Sequence, residues 1–250
     1  LQRSSKSSPF KAFCGAAALL LAAACSQESG WIEQRRFAMG TWVDTVYATG
    51  AETQSERIDV ALDELLDRLE IDYYAWADGE LGRTNSALEA GSRYAASAEL
   101  AELLTRAREL SLLSEGFFDP GVGALVEAWG FHFAQAEPAS PGTDFLDAWR
   151  RDPPSIADLR IAGPEISSPR RDLVLDLGGL AKGEVVDRML EIYAAAGVRD
   201  VLVNAGGDVR VLGSRGERPW TIGIQSPRQP ELLGSITLAH GEAAFTSGDY

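Results

Sequence analysis

Apolar positions recur at helical spacing twice in the first half of the chain. Ile58, Leu62, Leu65, Leu66 and Leu69 share one stripe and predict a helix over 52–70. Leu100, Leu103, Leu104, Ala107 and Leu110 predict a second over 97–114, with Gly116 as its stop. Over 41–49 the pattern alternates instead, Trp42, Asp44 and Val46 against Val43, Thr45 and Tyr47, which is the period of a strand. From Asp172 onward, short runs punctuated by glycine predict strands at 173–177, 201–204, 209–212, 220–225, 233–239 and 243–246. One helix interrupts them, over 184–196, ended by Gly197. Residues 134–154 lack a period and read as a surface excursion with one helical turn near 145–149. The expected fold is α+β, with helices concentrated in the first half and a glycine-punctuated mixed sheet in the second.

Composition changes this picture mainly at the N-terminus. Arg3, Lys6 and Lys11 precede an apolar run over 12–24 that ends in Leu21-Ala-Ala-Ala-Cys25, the layout of a targeting segment too short to span a bilayer permanently. Cys25 after three small residues reads as the lipid acceptor of a bacterial lipoprotein, with a plain secretory signal as the alternative. The organisation is then a leader over 1–25, a tether over 26–35 and one domain over 36–250, lipid-anchored in the periplasm to the inner or outer membrane. Cys14 and Cys25 are the only cysteines, so the mature chain would have no disulfide. Losing the three basic leader residues takes the balance from 23 cations against 37 anions to 20 against 37, net −17. Such a surface repels nucleic acid and anionic lipid heads, and any anionic ligand needs local cations.

Candidate chemistry centres on Asp176-Leu-Gly-Gly-Leu-Ala-Lys-Gly-Glu-Val-Val-Asp187, where an apolar run enters a glycine turn and then a helix carrying a lysine. Bare backbone and free N–H groups there suit a phosphate, although an ordinary strand-turn-helix has the same spacing. Around it, in order, stand Met39-Gly-Thr41, Gly79-Glu-Leu-Gly-Arg-Thr-Asn85, Gly116-Phe-Phe-Asp-Pro-Gly-Val-Gly123 with Trp129-Gly-Phe131, Asn204-Ala-Gly-Gly-Asp208 and Thr246-Ser-Gly-Asp-Tyr250.

Together these motifs resemble the ApbE family from about Arg36 to the last residue. The resemblance implies an FAD:protein FMN transferase, which uses magnesium to cleave FAD and joins FMN to a threonine of a target protein, such as a subunit of a redox complex. It implies FAD contacts at Met39, Phe117, Phe118, Asp119, Gly178 and Glu184, a phosphate partner in Lys182, and an adenine cover in either Tyr74 or Trp76. Core packing explains Met39, Phe117 and Phe118 as well, and Asp119 before Pro120 also suits a turn. The resemblance further implies a metal contact through the backbone carbonyl of Ala181, indirect support for the metal from Asp208, and hydroxyls of the Thr246 segment along the pyrophosphate. The family's D-x-x-x-T metal pattern and its His-Ile-Ile-Asp-Pro-like segment are expected beyond Tyr250, as are the catalytic residues. With Leu1 in place of methionine, the sequence is expected to be a fragment at both ends. An FAD pyrophosphatase releasing FMN and AMP, or a non-catalytic FAD-binding lipoprotein, would share these motifs. His132 and His240 lack zinc-ligand spacing, and no G-x-S-x-G elbow occurs.

Overall fold

The computed structural model describes residues 30–49, 52–132 and 139–247. The leader with Cys25, residues 26–29 of the expected tether, and Tyr250 lie outside them. Strands β1 (Gly30–Ala38) and β2 (Thr41–Thr49) form a hairpin. Residues from Gly30 onward are therefore sheet rather than tether. Their charged run conceals the strand because its partners are distant: Arg35 bridges Asp44 at 2.5 Å, and Arg36 reaches Asp59 and Asp63 at 2.7 Å each.

Helix α1 (Glu52–Asp72) buries the expected stripe. Helix α2 (Glu80–Glu89) escaped the periodicity reading because two of its four buried positions, Leu81, Thr84, Asn85 and Leu88, are polar. After β3 (Tyr94–Ala95) comes α3 (Ala98–Leu113), capped by the Ser97 hydroxyl, which accepts from the Leu100 N–H. Its stop lies one residue earlier than expected. Glu115 itself takes a positive φ of 55°, donating to Leu112, while the Gly116 N–H reaches back to Ser111.

Helix α4 (Gly123–Ala128), α5 (Thr143–Arg151) and a 3-10 turn (Ile156–Asp158) lead to the short strands β4 (Arg160–Ala162) and β5 (Glu165–Ser167). Then come α6 (Ala181–Ala195), β6 (Val201–Ala205), β7 (Asp208–Leu212), β8 (Trp220–Gln225), β9 (Leu232–Leu238) and β10 (Ala243–Ala244). The fold class is α+β as expected, with most helices in the first half. The described ladders are antiparallel, and an isolated bridge between Val122 and Val174 is parallel.

The main sheet has the order β1-β2-β6-β7-β10. Alternation assigns its two faces. Val43, Thr45, Tyr47, Val201, Val203 and Ala205 point into the core beneath α1 and α6, while Val209 and Val211 point the other way. There the β8-β9 hairpin covers them with Trp220 and Leu238. Residues 173–177 do not form the expected strand. Leu173, Leu175 and Leu177 are buried as a strand's would be, but the backbone bonds go elsewhere. Asn85 takes both polar groups of Leu175 at 2.9 Å, Pro120 accepts from Asp176, and Val174 accepts from Gly123. Buried amides need partners, and here a side chain and a loop supply them in place of a ladder.

Candidate functional site

Helix α6 begins at the end of that extended segment. Leu180, its N-cap residue, supplies no side-chain cap, and Ala181 is buried in the first turn. Gly178 and Gly179 make the turn without a left-handed φ. The Gly178 N–H donates to Asp176 Oδ1 at 2.9 Å, and a Cβ on Gly179 would stand 3.3 Å from the Phe118 ring. Phe118 thus lies against the turn, half-buried, whereas Phe117 beside it is 94% exposed. Burial pushes the Asp176 carboxyl above its ordinary value, and the Gly178 N–H offsets only part of this.

Three further motifs meet on the other side of the α6 N-terminus. Met39 and Gly40 both have positive φ (53° and 70°) in the two-residue turn between β1 and β2. That turn favours Asn or Gly, so a methionine there carries backbone strain of about 1–2 kcal/mol, of the kind found at functional sites. The turn between β6 and β7 lies next to it. Gly206 donates to the Trp42 carbonyl at 3.0 Å, and a Cβ on it would fall 2.5 Å from Thr41 Oγ1. Gly207 donates to Asn204 Oδ1 at 2.9 Å and faces Thr246, while Gly183 of α6 faces Phe245. Lys182 Nζ stands 3.4 Å from Asp208 Oδ2. Tertiary contact therefore gathers Thr41, Lys182, the Gly206-Gly207-Asp208 run and Thr246 from four separate parts of the sequence.

Two expected ligand carboxylates are already engaged within the protein. Asp119 accepts from the Gly121 and Ile156 N–H groups at 2.7 and 2.8 Å and from the Ser155 and Ser111 hydroxyls at 2.5 and 3.3 Å. Four donors surround the carboxylate, so Asp119 ties its loop to the 3-10 turn. Glu184 is 6% exposed and accepts from Arg106 at 2.7 Å and Arg188 at 2.9 Å. Arg188 also approaches Glu99, which pairs with Arg68. Burial raises the Glu99 carboxyl, and these arginines more than reverse it, leaving it below its usual value. Glu184 thus links α3 to α6 as part of an ion-pair network.

Tyr74 and Trp76 form an edge contact with centroids 5.5 Å apart. The Tyr74 hydroxyl donates to the His132 carbonyl, and Trp76 lies 5.4 Å from the His132 ring. Trp76 is packed against the core, so Tyr74, 41% exposed, is the more available surface. Asn85 and Asp176, which stand in the motifs without an expected role, and Arg106, which stands in none, carry the site's framework. Their residue types give no local signal, since each acts through a partner at least 78 residues away or through burial. Among the described residues no three His, Cys, Asp or Glu side chains gather as around a metal.

A family model described as the ApbE family matches residues 39–250. The chain belongs to the ApbE family. An FAD:protein FMN transferase of Rhodobacter capsulatus is 38% identical over 220 residues, covering 88% of this chain and 42% of that protein. The chain therefore spans less than half of that relative. The FAD:protein FMN transferase of Vibrio cholerae is 31% identical, over 94% of this chain and 71% of its own length. In three dimensions the chain resembles the ApbE protein of Thermotoga maritima (TM-score 0.79, 27% identity, 88% of this chain and 71% of that one). It also resembles the flavin transferase ApbE of Vibrio cholerae (TM-score 0.77, 29% identity, 88% and 72%). The motifs that meet around α6 lie within the matched region.

Proposed function

We propose that this ApbE-family protein transfers FMN from FAD to a threonine of a target protein, with magnesium, outside the cytoplasm. The observation that carries the reading is the convergence of the Met39, Gly206-Gly207 and Thr246 segments on Lys182 at the uncapped first turn of α6. Bare backbone and one ammonium there suit the FAD pyrophosphate. Phe118, Met39 and Tyr74 offer apolar and aromatic surface for the rings.

In the reaction the threonine oxygen bonds to the FMN phosphorus, the bond to the AMP oxygen breaks, and the hydroxyl proton is lost. The protein's part is to position the dinucleotide and offset its charge. Magnesium supplies charge neutralisation and polarisation of the phosphoryl group when bound. The described residues fit it only in part, through the Ala181 carbonyl, because no acidic cluster accompanies that group.

The test is incubation of the full-length protein with FAD, magnesium and a threonine-bearing target peptide. The expected product is the peptide with FMN added, and AMP, with no adduct when valine replaces the threonine. Free FMN and AMP alone would indicate a pyrophosphatase, and FAD binding without turnover a carrier. The export reading rests on the basic and apolar leader ending at Cys25. Cys25→Ser should move the protein from the membrane to the soluble fraction, and unchanged partitioning would remove the lipid anchor from the reading.

A further inference from the structure

We propose that Asp208 is a built-in competitor for the Lys182 ammonium, so that a dinucleotide phosphate binds by taking Lys182 from the Asp208 carboxylate. The inference rests on the FAD-binding part of the reading above and adds a residue that makes this binding conditional.

Lys182 stands in the first turn of α6, where the helix's own partial positive charge opposes a cation. Its counter-ion is Asp208, at 3.4 Å, with 34% of the lysine side chain and 13% of the aspartate exposed. The neighbouring charges on the two facing elements are otherwise committed. Arg210 of β7 pairs with Asp187 of α6, and Glu184 is held by Arg106 and Arg188. Lys182–Asp208 is the longest of these contacts, and its two residues directly adjoin Gly183 and Gly207, which face Phe245 and Thr246.

The backbone that carries Asp208 is anchored. The turn before it is anchored by the Gly206 N–H on Trp42 and the Gly207 N–H on Asn204, and Gly206 and Gly207 are packed against Thr41 and Thr246. A phosphate approaching Lys182 therefore meets the negative charge of Asp208 beside it. That repulsion weakens the binding of bare FAD, and a divalent cation accompanying the phosphates would relieve it. Asp208 in this role favours the metal-bound dinucleotide over the free one.

The experiment measures FAD affinity of the full-length protein by titration calorimetry, in EDTA and in magnesium. In EDTA, Asp208→Asn should bind FAD roughly three- to tenfold more tightly than the wild type, and Lys182→Met more weakly. Asp208→Glu, which keeps the charge, should stay close to wild type. The preference for magnesium over EDTA should shrink in Asp208→Asn. Should that variant fold poorly by circular dichroism, Asp208→Ser removes the same charge and carries the same expectation. Weaker or unchanged binding in EDTA on loss of the Asp208 charge would overturn the inference while wild-type binding in magnesium upholds the reading beneath it. Absence of FAD binding by the wild type in either condition would instead remove that reading, and the inference with it.

Discussion

Gly178-Gly179 and Gly206-Gly207 read alike in the sequence and lie on either side of the first turn of α6, yet the chain uses them differently. Gly206 and Gly207 have φ of 61° and 98°, and the space for a Cβ is taken by Thr41 in one case and narrowed by Thr246 in the other. Their lack of a side chain is spent on letting three segments of the main sheet meet. Neither Gly178 nor Gly179 has a left-handed φ, and the nearest atoms to their absent side chains are Asp176 Oδ1 and the Phe118 ring, both at 3.3 Å. The first pair is demanded by backbone conformation and close approach. The second is a surface turn whose shape is set by the Asp176 carboxylate accepting from Gly178.

This contrast breaks most visibly on adding one methyl group. Gly206→Ala combines a left-handed φ with a collision at Thr41 and should cost about 2–4 kcal/mol, read as a lowered denaturation midpoint in urea. Gly179→Ala meets only the edge of Phe118 and should cost no more than about 1 kcal/mol in the same measurement. Equal losses at the two positions would show that the turns are under the same constraint.

A smaller effect sharpens the electrostatic side. Because burial raises the Asp176 carboxyl, the folded protein holds that proton to higher pH than the unfolded chain does. Between the two values the native state binds more protons, so this group lowers stability as pH rises through them. Asp176→Asn keeps an acceptor for the Gly178 N–H and removes the buried charge. It should therefore be more stable than wild type at neutral pH, with the advantage fading as pH falls to the ordinary aspartate range. A stability difference that stays constant across that range would dissociate the turn from the charge.

The elements with a clean period were legible in the chain. The stripe of α1, the alternation of β2 and the Gly197 stop of α6 each depend on contacts within one element, and local order suffices to encode them. The Gly197 N–H bonding Ala194 and the Val198 N–H bonding Tyr193 complete that stop with no help from elsewhere. The family motifs were legible too, as residues in order, which is why the expected site includes Lys182 and the turn of β6-β7.

What the order could not state is which group each polar atom meets. Nothing in the order shows that Asp119 meets Ser155 and Ile156, or that Glu184 meets Arg106 and Arg188. Residues 173–177 look like a strand until Asn85 takes the backbone bonds of Leu175. Residues 30–35 look like a tether until β2 pairs with them. Where side chains turn inward is written in the local period, because hydrophobic burial follows it. The partners of the buried polar and charged groups come from contacts across the fold. A hydrogen bond or ion pair is satisfied by whatever donor lies within about 3 Å, however far along the chain it stands.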